Sequence, residues 1–195
     1  MPLEYAFEIA TAAIRFGIGV TREVGAELAD LGKRHVLVFA DPNVRNLPPL
    51  AAVQESLEQN HIRFTVFDQV HVEPTDESLR QATAAAQAED FDAFVAVGGG
   101  STIDTAKAAN LYHCYPADLL EYVNPPVGKG KPVPGPLKPL IAIPTTAGTG
   151  SETTGVAIFD YVALHAKTGI AHRRLKPTLG LIDPENTRTQ LPAVA

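Results

Sequence analysis

The chain has 195 residues, enough for one domain with a real core. With 45% apolar and 19% charged residues, a formal charge of −6 and no basic run, its make-up argues against non-specific binding to nucleic acid or anionic membranes. Cys114 is the single cysteine, so no internal disulfide can form, and no apolar run of about 18 residues is present to span a bilayer.

The N-terminal stretch "MPLEYAFEIATAAIRFG" carries Glu4 and Glu8 where a secretory signal needs a basic and then an apolar segment. The default expectation is a cytoplasmic protein, with "EYAFEIATAAIRFG" as an edge strand or hairpin. "HVLVFAD" (35–41) reads as a buried strand ending at a turn. "LPPLAAVQESLEQN" (47–60) has apolar residues at helical spacing, with Pro48 and Pro49 near its start. "RFTVFD" (63–68) is a second strand. "PTDESLRQATAAAQAED" (74–90) is a helix with Thr75 as N-cap and acids in its first turn. "FDAFVAVGG" is a third strand and "STIDTAKAANLYHC" a helix. A proline- and glycine-rich connector (123–139) follows, then strands at 140–145, 155–160 and 178–183. This alternation predicts one α/β domain over 1–195, a doubly wound, mostly parallel sheet covered on both faces.

Ligands of such sheets bind at the carboxyl ends of the strands. Three features lie there: Asp41, the Gly98–Ser101 loop and "TTAGTGSE" (145–152). The glycine loop is neither the G-x-G-x-x-G fingerprint, since position 103 is Ile, nor a Walker A loop. Strand, glycines, serine and helix nevertheless follow the general anion-binding plan, in which backbone N–H groups and the helix N-terminus face a phosphate. The alternative is a tight strand-to-helix turn. Ser101-x-x-Asp104 matches a capping box, so Asp104 either caps the helix or meets a ligand. Lys107, on the same helix face, pairs with Asp104, lies in solvent or reaches a phosphate. Thr145, Thr146, Thr149 and Ser151 offer many donors to a polar ligand. Asp41 suits the hydroxyls of an adenosine ribose and would repel a 2′-phosphate, or else simply makes an Asp-Pro turn.

Taken together, "DAFVAVGGGSTIDTAKAAN", "PLIAIPTTAGTGSETTGVAIFD" and "KPTLGLIDP" resemble the iron-containing (group III) alcohol dehydrogenase family. "GVTREVGAELADLG", "VEPTDES", "YVNPPVGKGKP" and "RRLKPTLGLIDPENT" are most similar to its hydroxyacid–oxoacid transhydrogenase branch and bacterial relatives. The resemblance implies a Rossmann-like N-terminal domain that binds NAD(H) and an all-helical C-terminal domain holding iron or another divalent metal. Hydride would then pass between an alcohol or hydroxyacid and nicotinamide. By position it places Asp41 at the adenosine ribose. Gly99, Gly100 and Ser101 fall at the pyrophosphate, with Ser101 capping the helix, and Asp104 joins the cofactor-binding set. Thr145, Thr146 and Thr149 fall along the phosphate and nicotinamide side, and Lys167 reaches the cofactor. Glu73 stands where many relatives have asparagine in "PNPT", a departure on the adenine side that the transhydrogenase branch shares.

The family's metal ligands include an Asp followed four residues later by a His, in a helix beyond "IDPENT…LP". None of the six histidines here has Asp four residues before it; the occupants are Leu31, Leu57, Phe67, Ala109, Tyr161 and Thr168. No catalytic or metal residue is therefore assigned within 1–195. The resemblance leads to a cofactor-binding domain that is inactive alone, with the helical metal domain absent, and that self-associates or pairs with a C-terminal domain. The alternatives are a stand-alone nucleotide-binding module without redox activity and a remnant that binds nothing.

Overall fold

The structure is a computed structural model describing residues 11–188 and Gln190. In chain order the elements are β1 (Ala13–Phe16), α1 (Val24–Asp30), β2 (His35–Ala40), α2 (Pro48–Gln59), β3 (Arg63–Phe67) and α3 (Asp76–Gln87). Then come β4 (Ala93–Gly98), α4 (Gly100–Cys114), β5 (Leu140–Pro144), β6 (Val156–Tyr161), β7 (Ala166–Ala171) and β8 (Leu179–Ile182). Six strands form one parallel sheet in the order β1-β8-β5-β4-β2-β3.

The pleat explains why the strands read as unbroken apolar runs. Val36, Val38 and Ala40 of β2, with Val95 and Val97 of β4, meet Leu28 of α1 and Val53 and Leu57 of α2. The alternate residues Leu37, Phe39, Phe94 and Ala96 meet Ala82 of α3 and Ile103 and Ala106 of α4. Neither face of these strands touches water, so neither can be polar. The sheet is doubly wound, as the alternation predicted.

The helix starts follow local chemistry. Leu47 is extended before α2, and Pro48 and Pro49 take the first helical positions, where a missing N–H costs nothing. Thr75 caps α3: its hydroxyl accepts from Ser78 N at 3.2 Å, while Ser78 Oγ accepts from Thr75 N at 2.9 Å. Among the described residues, no helix is long and apolar enough to cross a membrane.

The placement of one strand differs from the sequence reading. The stretch 155–160 does form a strand, β6, but outside the main sheet, as an antiparallel hairpin with β7. The proline-rich connector 123–139 has no strand or α-helix, yet it is packed. Val123 and Val133 join Leu111 and Tyr112 of α4 and Phe159 and Ile170 of the hairpin in a third core cluster. At the N-terminus, β1 is an edge strand parallel to β8, as expected for 13–16; residues 11, 12 and 17 of that stretch are not strand, and 4–10 lie outside the described residues.

From β2 the chain runs outward to β3, then returns past β2 to β4. Connections therefore leave adjacent strands β2 and β4 in opposite directions. Their carboxyl ends flank the crevice in which open α/β sheets bind ligands.

Candidate functional site

A cleft of about 500 Å³ opens at that crevice. Asp41, Gly99, Gly100, Ser101, Thr145, Thr146 and Thr149 all line it. Asp104 and Lys167 line an adjoining pocket of about 230 Å³, which shares Gly100, Ser101 and Thr149 with the first. The sequence-derived residues thus converge on one continuous surface.

The floor is the start of α4. Gly99 is the N-cap, and the first helical bonds run from Thr102 N and Ile103 N to Gly99 O. The N–H groups of Gly100 and Ser101 precede those bonds and face the cleft end of the helix, where the dipole favours an anion. The lack of side chains is needed for room. A Cβ on Gly99 would lie 3.1 Å from Thr146 Oγ1, and one on Gly100 would lie 3.1 Å from Thr149 Cγ2. These glycines keep a slot between α4 and the threonine loop that side chains would fill, a shape that fits a pyrophosphate.

Ser101 does not cap the helix, contrary to the expectation. The helix begins one residue earlier, so Ser101 is already inside it, with its Oγ accepting from Glu73 N at 3.2 Å. That contact uses a lone pair and leaves the hydroxyl proton to donate. It also pins the loop around Glu73, which is left-handed at φ 56°. The capping box fails for Asp104 as well. Its Oδ2 accepts from Ile158 N at 3.0 Å, and its Oδ1 lies 3.4 Å from Lys107 Nζ.

Lys107 is fully buried and outside the cleft, which settles its three alternatives in favour of the pair with Asp104. Burial pushes its pKa down from 10.5, and the Asp104 carboxylate opposes that shift. Between the lowered folded value and 10.5, the unfolded chain holds more protons than the folded one. The contribution of Lys107 to stability should therefore rise with pH across that window. Urea unfolding of Lys107→Met should show a shallower alkaline rise than wild type; an identical slope would contradict this account of the buried amine.

Asp41 is 7% exposed. Its Oδ1 accepts from Asn43 N at 2.8 Å and Val44 N at 3.2 Å, and Thr102 Oγ1 donates to its Oδ2 at 3.4 Å. The Asp-Pro turn and the cleft-lining position therefore coexist. The turn fixes the carboxylate, with lone-pair capacity remaining toward the cleft.

Gln190 escaped the sequence reading. It lines the cleft, its Oε1 accepts from Ala147 N at 2.8 Å, and its Nε2 is buried without a partner among the described residues. No motif or strand end marks it in the sequence. Iron does not fit the described residues: no group of three His, Cys, Asp or Glu side chains among them is placed to hold a metal ion.

The mitochondrial hydroxyacid-oxoacid transhydrogenase of Bos taurus is 61% identical over 185 residues, covering 94% of this chain and 40% of its own length. A probable mitochondrial hydroxyacid-oxoacid transhydrogenase of Dictyostelium discoideum is 53% identical over 199 residues, covering 95% and 36%. The chain thus spans about 40% of the curated relatives it matches. Among solved structures, NADH-dependent butanol dehydrogenase A of Thermotoga maritima superposes with a TM-score of 0.88 at 25% identity, over 97% of this chain and 47% of that one. Sulfoacetaldehyde reductase of Bifidobacterium kashiwanohense in complex with NAD+ gives 0.87 at 26%, over 98% and 50%. The curated relatives correct one expectation, the cytoplasmic default, because their names place them in mitochondria. That default had rested on cysteine usage and the lack of a secretory signature. Neither separates two reducing compartments, and mitochondrial targeting uses a different signature from secretion. The family model described as iron-containing alcohol dehydrogenase matches residues 11–184, and the chain belongs to that family.

Proposed function

We propose that this chain is the NAD(H)-binding part of a metal-dependent oxidoreductase that moves hydride between an alcohol or hydroxyacid and nicotinamide. The observation that carries it is the slot between the N-terminus of α4 and the threonine loop, with Asp41 fixed at its rim. The N–H groups of Gly100 and Ser101 bind the pyrophosphate, and the Ser101 hydroxyl donates to the same group. Asp41 accepts from the adenosine ribose. Thr145, Thr146 and Thr149 form the opposite wall and Lys167 reaches in from the hairpin. Bound nicotinamide supplies the hydride acceptor. The NAD+ complex of the sulfoacetaldehyde reductase and the names of the transhydrogenase relatives support this reading.

Calorimetric titration tests it. NADH should bind at least about tenfold more tightly than NADPH, because the Asp41 carboxylate would face a 2′-phosphate. Asp41→Asn keeps an acceptor for Asn43 N and Val44 N while removing the charge, and should narrow that gap. Equal affinity for NADH and NADPH in wild type would remove Asp41 from the ribose; no binding of either would leave the slot as a turn.

The substrate-activating metal is assigned outside residues 11–188, since a Lewis-acid site needs several preorganised ligands. With iron(II), zinc or manganese supplied, this chain alone should form no NADH from 4-hydroxybutyrate and NAD+. Sustained turnover by protein of verified mass would contradict that assignment.

A further inference from the structure

We infer that Asp104 and Lys107 are positioning residues: by gripping the free edge of β6 they set where the β6–β7 hairpin holds Lys167 over the start of α4. The inference rests on the NAD(H) reading above.

The hairpin lies outside the main sheet, and a two-stranded hairpin is marginal by itself. Its unpaired backbone groups need partners. On the β7 side, Asn124 supplies them: its N–H donates to Gly169 O at 2.9 Å and its Oδ1 accepts from Ala171 N at 3.3 Å. Those residues face Ile158 and Val156 across the hairpin. Positions 156 and 158 are therefore non-hydrogen-bonded pairs, with backbone groups turned outward on both strands.

On the β6 side, α4 does what a third strand would do. Lys107 Nζ donates to Val156 O at 2.8 Å and lies 3.4 Å from both Thr154 Oγ1 and Asp104 Oδ1. Three N–H groups thus meet three acceptors, which is the full capacity of an ammonium. Asp104 Oδ2 accepts from Ile158 N at 3.0 Å, and farther along Asp160 N donates to Pro74 O at 2.8 Å.

Apolar packing alone would not fix this placement. Ala157, Phe159 and Ile170 bury the inner face of the hairpin. That attraction is non-directional and tolerates sliding along α4. Bonds from residues 104 and 107, one helical turn apart, to alternate residues of β6 select one register. In that register Lys167, opposite Asp160, lines the same pocket as Gly100, Ser101 and Asp104. Lys107 is buried away from the pocket, and each oxygen of Asp104 already accepts one bond within the protein.

A double-mutant cycle on the 195-residue chain tests the inference, with NADH affinity and Tm measured for each protein. Lys167→Ala should weaken NADH about tenfold, the worth of one charged hydrogen bond. Asp104→Asn, which keeps the side-chain shape, should weaken it about fivefold. In the Lys167→Ala background, Asp104→Asn should change the affinity no further, because the group it positions is gone. Lys107→Met provides a second entry to the same cycle should Asp104→Asn fold poorly. Losses that multiply in the double variant, or Asp104→Asn and Lys107→Met chains that fold and bind NADH as wild type does, would overturn the positioning role while leaving the cofactor reading intact. Wild type that does not bind NADH would overturn both.

Discussion

Gly99→Val should fold and should bind NADH at least about a hundredfold more weakly than wild type. The fold tolerates it because Gly99 has φ −75° and ψ −173°, extended backbone that valine adopts readily. Its Cβ would meet Thr146 Oγ1 at 3.1 Å, and Thr146 Cβ at 3.7 Å, so a single hydroxyl has to give by a few tenths of an ångström. The two methyl groups would then stand between the start of α4 and the threonine loop, where the phosphates are proposed to lie. Two charged hydrogen bonds at about 1.5–3 kcal/mol each correspond to that loss or more. Gly98, one residue earlier, makes the contrast. A Cβ there would lie 2.7 Å from Thr102 Cβ, on the helix itself, so Gly98→Val should damage folding first. Tm by differential scanning calorimetry and NADH affinity by titration separate the two. A folded Gly99→Val chain binding within about threefold of wild type would return the slot to a turn.

Gly25→Ala should show the opposite pattern, a large loss of stability with the cleft untouched. Gly25 sits where α1 crosses α2, and its N–H donates to Ser56 Oγ at 2.9 Å. An added Cβ would lie 2.6 Å from Asn60 Nδ2 and 2.7 Å from the Ser56 carbonyl carbon, and closer still to the Ser56 oxygen. The backbone of α2 cannot yield as a side-chain tip can, so the helices must separate. Overpacking of this kind costs about 3 kcal/mol. For a domain of this size that lowers Tm by roughly 6–12 °C. At a temperature where the variant remains folded, its NADH affinity should match wild type. A Tm within about 2 °C of wild type would show that the crossing is looser than these distances imply.

Most of the sheet was legible because β2, β4 and β5 are buried on both faces, which leaves continuous apolar runs that need no partner to be recognised. Thr75 was legible as a cap because capping is local. β7 was not: "AKTGIA" is short, mostly small and interrupted by Gly169, and pairing with β6 alone makes it a strand. The exclusion of β6 from the main sheet was hidden for a related reason. Its apolar pattern matches that of a core strand, and the difference lies in Asp104, Lys107 and Asn124, which take up the edge bonds. The short helix α1 went unassigned because seven residues holding Gly25 carry little periodicity. In the cleft, residues directly after strands were foreseen, since strand ends converge in any parallel sheet. Ser101 was misread because a Ser-x-x-Asp pattern does not say which residue starts the helix, and here backbone geometry favoured Gly99. Gln190 enters from beyond β8, and nothing local marks it.

A crystal structure of the 195-residue chain grown with NADH will show whether the cleft between β2 and β4 holds a dinucleotide by its pyrophosphate. Pyrophosphate oxygens should lie within hydrogen-bond distance of Gly100 N and Ser101 N, and the adenosine ribose hydroxyls at the Asp41 carboxylate. NADH seated elsewhere on the chain, or in the cleft with its pyrophosphate away from the start of α4, would contradict that placement.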